Sequence, residues 1–245
     1  DIAKESSRLS MLMRTGFDAK DALDEKKILP RYQLLYLNAL AESGKESKIS
    51  VADNVTDYVE KIKAKKLKLS KELDKVLRGY QKEGVNWIKQ LSNLGLGGIL
   101  ADDMGLGKTL QILAFLYCEK PEKSSLIVTP SSLTYNWKNE VEKFIPDASV
   151  MIIDGSGEQR QKLVKDYDKY DFLITSYPLL RRDIELYENI EFSYCIIDEA
   201  QNIKNPRTMN AQSVKSIKAD HKFALTGTPI ENSLSELWSV FDFLM

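Results

Sequence analysis

The chain has 245 residues, 43% apolar and 29% charged, which suits one large domain, or a medium one with an appendage, and excludes wholesale disorder. Lys and Arg number 35 against 36 Asp and Glu, so the overall charge announces no nucleic-acid partner. No apolar run approaches the roughly 18 residues of a membrane span, and no signal peptide opens the chain. Two cysteines, Cys118 and Cys195, and the single His221 can build neither a disulfide framework nor a four-ligand zinc site, so a reducing, intracellular setting is expected.

Residues 1–76 read as a small helical flank with linkers. Tyr32, Leu35, Tyr36 and Leu40 recur at helical spacing after Pro30, and a weaker helical pattern covers residues 51–62. The polar stretch 42–50 between them, with Gly44, reads as a loop. The flank closes on a basic run: Lys61, Lys63, Lys65, Lys66, Lys68, Lys71 and Lys75 face only Glu72 and Asp74. Such a run is either a solvated helix face or a contact for a phosphate backbone.

From residue 77 the rhythm changes. Short apolar runs stand at 97–101 (GGILA), 125–129 (SLIVT), 150–153 (VMII), 171–175 (DFLIT), 194–198 (YCIID) and 222–226 (KFALT), separated by amphipathic helical patterns. Strands apolar throughout and divided by helices predict an α/β domain over 77–245, a mostly parallel β-sheet with helices on both faces. Sheets of that kind hold ligands at the carboxyl ends of their strands. Chemistry is therefore expected directly after each run.

After GGILA come Asp102, Asp103, Met104, Gly105, Leu106, Gly107, Lys108 and Thr109, then an apolar helix beginning at Leu110. Strand, glycine loop, Lys-Thr and helix are the context of a Walker A phosphate loop, although Asp102 stands where the strict pattern has its first glycine. Backbone N–H groups and the helix N-terminus would cradle phosphates, Lys108 would neutralise them, and Thr109 would offer its hydroxyl to Mg²⁺. Ninety residues beyond Lys108, the run YCII meets Asp198 and Glu199. A carboxylate at the end of a buried strand needs compensation. Nucleotide-bound Mg²⁺ would give it to Asp198, with Glu199 placed to polarise the attacking water. The alternative for Asp198 and Glu199 is an ordinary acidic helix start.

Here the chain resembles a known family. LRGYQKEGVNWI, GGILADDMGLGKTLQILAFL, LIVTPSSLTYNW, FLITSYPLLRRD, YCIIDEAQNIKNP and FALTGTPIENSLSELWSVFDFL stand in the order seen in Swi/Snf-type ATPases, helicase-like double-stranded DNA translocases of superfamily two. The resemblance implies a RecA-like lobe, the first of two, preceded by a flank like that of bacterial members. It implies ATP and Mg²⁺ as cofactors, with Gln81 reading adenine and residues 103–110 holding the nucleotide. Thr129, Pro130 and Ser131, and then Thr175 and Ser176, match nucleic-acid-contact segments; Thr and Ser there could instead cap helices. Gln201, Thr226, Gly227 and Thr228 match segments that couple nucleotide state to nucleic-acid grip. Relatives commonly have Pro at Gly79, Glu at Asp103 and His at Gln201, while Asp at position 102 is a family trait.

The resemblance further implies a DNA-dependent ATPase that tracks duplex DNA without reading its sequence. It would remodel protein–DNA complexes as a monomer, cytoplasmic and nucleoid-associated, with a second RecA-like lobe from the same parent chain and no membrane partner. An isolated first lobe would be weakly active or inactive. The competing reading is a nucleotide-binding switch without productive hydrolysis. Trp87, Trp137 and Trp238 are expected in core or half-core positions, Cys118 and Cys195 as inert buried thiols, and His221 in a turn. Ser233 and Glu236 form a capping-box pattern before the last helix.

Overall fold

A computed structural model describes residues 66–228 and 234–245. The helical patterns before residue 65, Lys61, Lys63 and Lys65 of the basic run, and Ser233 of the capping pattern lie outside the described residues.

Six strands form one sheet in which every neighbouring pair is parallel, in the spatial order β1-β6-β5-β2-β4-β3. They are β1 (Gly98–Leu100), β2 (Ser125–Thr129), β3 (Val150–Ile152), β4 (Phe172–Ser176), β5 (Glu191–Ile197) and β6 (Lys218–Leu225). Each apolar run of the sequence is one of these strands. Parallel neighbours cannot be joined by tight turns, so helices make the crossovers. The helices are α1 (Lys71–Val76), α2 (Gly79–Asn93), α3 (Lys108–Glu119), α4 (Thr134–Phe144), α5 (Gly157–Lys165), α6 (Tyr177–Arg182), α7 (Met209–Ser216) and α8 (Leu234–Leu244).

Alternation along the strands splits the core in two. Ile127, Phe172, Ile174, Tyr194, Ile196, Phe223 and Leu225 face one way and are covered by α1–α4. Leu126, Val128, Leu173, Cys195, Ile197 and Ala224 face the other way, towards α5–α8. Successive strand side chains point to opposite faces, so a strand apolar throughout is what two covered faces require. The fold is the RecA-like α/β architecture the sequence reading expects.

Local chemistry sets the helix ends. Ser70 caps α1 by accepting from the Leu73 N–H at 3.2 Å, and Ser156 with Gln159 forms a capping box at α5. Thr208 caps α7 through the Ala211 N–H. Lys120 ends α3 in the left-handed conformation and Pro121 follows, so the helix cannot continue. Leu73 of α1, in the segment read as flank, is buried with Val85, Ile88 and Phe115.

Several residues differ from expectation, Trp87 among them, which is exposed on α2 and is not a core residue. β6 starts four residues before its apolar run because its polar end pairs with that of β5, Glu191 opposite Lys218, at an exposed rim. His221 therefore lies in a strand rather than a turn, half-buried and stacked on Tyr194 with ring centroids 5.1 Å apart. Trp238 is 64% exposed on α8, on a face also bearing exposed Phe241, and is not a core residue. Cys118 is only half-buried, whereas Cys195 is fully buried and its thiol is pushed up to about 12 by desolvation.

Candidate active site at the carboxyl ends of the strands

The register puts the ends of β1, β6, β5, β2 and β4 along one edge, where the ladder continues one step further. Thr226 N–H donates to the Leu100 carbonyl at 3.2 Å and Asp198 N–H to the Val128 carbonyl at 2.8 Å. Thr226, Asp198, Pro130 and Tyr177 thus leave the sheet side by side. A cavity of about 540 Å³ lies at the opposite end of the strands, lined by Tyr117, Lys120, Asp147 and Asp171, none of them a candidate site residue.

The loop from β1 to α3 has the backbone of a phosphate cradle. Gly105 and Gly107 take φ of +83° and +78°, a region open to glycine, and Gly107 is the N-cap of α3. A Cβ on Gly107 would also lie 2.5 Å from Gln81 Nε2, so the position excludes side chains twice over. The first turn of α3 presents N–H groups that no helix carbonyl can accept. Lys108 Nζ folds back on the loop and donates to the carbonyls of Asp102 at 2.7 Å and Asp103 at 3.2 Å. Met104 and Leu106 are exposed and Thr109 is half-buried. Leu110 is a core residue, which leaves only its backbone to face a ligand.

Gln81 is buried beneath this loop. Its Oε1 accepts from the Arg78 N–H at 2.9 Å and its Nε2 donates to the Leu106 carbonyl at 3.0 Å, where the Tyr80 hydroxyl also donates. It ties the start of α2 to the loop. Asp102 has a structural use that accounts for its place in the motif: its Oδ2 accepts from Gln111 Nε2 at 2.8 Å, pinning the loop to α3.

Asp198 is 8% exposed, and burial raises its carboxyl above the usual range, partly offset by the donors around it. Oδ2 accepts from Trp137 Nε1 at 2.8 Å and from the Thr129 hydroxyl at 3.4 Å, and Oδ1 from the Glu199 N–H at 2.9 Å. Its backbone carbonyl accepts from the Tyr177 hydroxyl at 2.7 Å. Glu199 follows in the left-handed region at φ +52°, uncommon without glycine. The Asn202 backbone and side chain both donate to the Glu199 carbonyl and hold it there. Glu199 is the N-cap of a single 3-10 turn, Ala200–Ile203, and its side chain makes no capping bond there.

From Glu199 a chain of hydrogen bonds crosses the sheet edge. Gln201 Nε2 donates to Glu199 Oε2 at 2.6 Å, and the Thr226 hydroxyl donates to Gln201 Oε1 at 3.3 Å. The Thr228 N–H donates in turn to Thr226 Oγ1 at 3.1 Å. Gly227 packs on the phosphate loop, since a Cβ there would lie 3.3 Å from Met104 Cγ. One network therefore joins the carboxylates, Gln201 and the segment after β6.

The proposed nucleic-acid segments are divided. Ser131 is exposed and Pro130 half-buried, but Thr129, Thr175 and Ser176 are buried. Those three side chains cannot meet a phosphate backbone in this conformation, and Thr129 turns its hydroxyl to Asp198 instead. Neither Thr129 nor Ser176 caps a helix through its side chain. Trp137, Tyr177 and Gln111 are site residues the sequence reading missed. A signal existed for Gln111, a lone amide in an apolar helix, because a buried polar group requires a partner.

The residues fit a nucleotide with Mg²⁺. An ammonium that spends its donors on neutral carbonyls, a glycine cradle at a helix start and a buried carboxylate of raised pKa are what a phosphate–metal pair would satisfy. No three metal-ligating side chains cluster among the described residues, so a metal here would need phosphate oxygens as well.

Comparison with known proteins agrees with this geometry. The SNF2-related domain matches residues 80–245. The chain is 40% identical to the TATA-binding protein-associated factor MOT1 of Saccharomyces cerevisiae over 79% of its own length and 11% of that protein. It is 42% identical to an uncharacterized ATP-dependent helicase of Mycoplasma genitalium over 80% of its length and 20% of the relative. The SWI2/SNF2 ATPase core of Sulfolobus solfataricus in complex with double-stranded DNA superposes with a TM-score of 0.63 at 43% identity, covering 69% of this chain and 35% of that one. The chain therefore spans between about a tenth and a fifth of these two curated relatives' length. With its phosphate loop, DEAQ carboxylates and RecA-like sheet in the family's order, the chain belongs to the SNF2-related family of helicase-like ATPases.

Proposed function

We propose that this chain is the ATP-binding first lobe of a motor that hydrolyses ATP to move along duplex DNA and remodel protein–DNA complexes. The observation that carries the reading is the unbroken network from Glu199 through Gln201 to Thr226 and Thr228, beside the Lys108 loop. A passive nucleotide holder needs the loop; it does not need its water-polarising carboxylate wired to a neighbouring strand end. Lys108 would bind the β/γ-phosphates, the α3 N-terminus would orient them, and Glu199 would polarise the attacking water. Mg²⁺, held through Asp198 and Thr109 when bound with ATP, supplies charge neutralisation on the phosphoryl oxygens. Gln81 would read the adenine next to the loop it already grips.

The Sulfolobus ATPase core is in complex with double-stranded DNA, which supports duplex DNA as the partner, as does Ser131 lying open at the same edge. Contacts of this type would be to the backbone and indifferent to sequence. A second RecA-like lobe of the parent protein would close the cleft, and the motor would work as a cytoplasmic, nucleoid-associated monomer. The test is Glu199→Gln in the full-length protein. ATP binding is expected to persist while turnover falls by roughly 10²–10⁴. Near-normal turnover would refute the role of Glu199, and lost ATP binding would make it a binding residue.

A further inference from the structure

Two aromatic residues from different helices converge on Asp198, and neither belongs to the phosphate loop. Trp137 lies on α4 and spends its buried indole N–H on the Asp198 carboxylate at 2.8 Å. Tyr177 opens α6 and spends its buried hydroxyl on the Asp198 backbone carbonyl at 2.7 Å. One fixes the side chain, the other the peptide from which it projects. Each also stands directly behind one of the proposed nucleic-acid segments. Thr134 Oγ1 donates to the Ser131 carbonyl at 3.1 Å, tying that loop to the first turn of α4. Trp137 follows at i+3 on the same buried stripe, with Val141 beyond it. Tyr177 is the immediate neighbour of Ser176.

We propose that Trp137 and Tyr177 are positioning residues for Asp198, and that together they carry the loading of the exposed Ser131 loop to the carboxylate that would hold the metal. The proposal rests on the motor reading above. Its physical basis is that α4 is rigid and anchored in the core through Val141. A force on Ser131 therefore moves the first turn of α4, and with it an indole that grips a single carboxylate oxygen. A small rotation of that oxygen alters metal affinity, as loss of outer partners of metal ligands generally does. Tyr177 would hold the peptide from which that carboxylate projects, so that the pull of the indole turns the side chain and not the backbone.

The test uses the full-length protein and titrates Mg²⁺ against binding of a fluorescent, non-hydrolysable ATP analogue, with and without a duplex DNA oligomer. In the wild type, duplex DNA is expected to lower the Mg²⁺ concentration for half-saturation. Trp137→Phe and Tyr177→Phe are each expected to raise it about tenfold and to abolish the response to DNA. A variant that keeps the wild-type half-saturation and its DNA response overturns the assignment for that residue. Tyr177→Phe removes only one hydroxyl, and the wild type labelled with 5-fluorotryptophan gives a second readout that needs no folded Trp137 variant. The Trp137 fluorine signal is expected to shift when Mg²⁺ joins the nucleotide, and a signal blind to Mg²⁺ overturns the relay. A wild type that ignores duplex DNA contradicts the motor reading and the relay together. Unaltered variants within a DNA-responsive wild type contradict the relay alone.

Discussion

The Lys108 ammonium rests on two backbone carbonyls, acceptors that a phosphate outcompetes through its full charge. Lys108→Ala is therefore expected to lower nucleotide affinity and hydrolysis together, because the charge acts in ground and transition states alike. Nucleotide titration beside steady-state hydrolysis checks it, and unchanged affinity would contradict it. His221 gives a pH signature. Burial lowers its pKa from the ordinary value of 6.5, against the pull of Asp220 and Glu119. The unfolded chain then takes up the proton first as pH falls, so the contribution of His221 to stability is present above about 6.5 and shrinks as pH drops towards the folded value. His221→Phe keeps a ring against Tyr194 and removes the proton. Its Tm relative to wild type is expected to rise between about pH 8 and about pH 6, and a constant difference would contradict the sign. Lys108, Thr109, Asp198 and Glu199 were legible in the sequence because motif spacing and strand ends locate them. Trp137 and Tyr177 were not, because their partner is sixty-one and twenty-one residues away and only the sheet order brings it near.

At the scale of elements, the phosphate loop depends on how α2 packs against α3. A Cβ at Gly84 would lie 1.9 Å from Gln111 Oε1, and Gln111 is fully buried with its amide committed to Asp102. Gly84→Ala is therefore expected to displace Gln111, release Asp102 and loosen the loop. The cost would be about 1–3 kcal/mol of stability, typical of overpacking, together with weaker nucleotide binding. Chemical denaturation and nucleotide titration measure the two, and a variant with wild-type values in both would show that Gln111 moves aside freely. Alongside this, Lys89 of α2 and Glu119 of α3 form a half-buried ion pair. The strands themselves were readable because both faces are covered, so β2 is apolar from Leu126 to Val128 and β4 from Phe172 to Ile174. The starts of β5 and β6 were not, since Glu191 and Lys218 are exposed and only backbone pairing makes them strand. Trp238 was misplaced for a related reason: helical spacing identifies an amphipathic face without saying what covers it.

The whole molecule is set against longer relatives. This chain covers 35% of the Sulfolobus ATPase core, so most of that core has no counterpart in these residues. We expect residues 1–245 alone to bind Mg²⁺–ATP weakly and hydrolyse it slowly even with DNA. The resemblance implies a second lobe that completes the nucleotide cleft, and charge stabilisation supplied from the far side of such a cleft is worth about 10³–10⁵ in rate. Brisk DNA-stimulated hydrolysis by the monomeric 245-residue chain would refute that. The central claim, a motor driven on duplex DNA, is tested most directly by the steady-state ATPase rate of the full-length protein without nucleic acid and with duplex DNA, single-stranded DNA or RNA. Duplex DNA of any sequence is expected to stimulate most, with a strong dependence on salt; no stimulation by duplex DNA, or stimulation by RNA alone, would contradict the account.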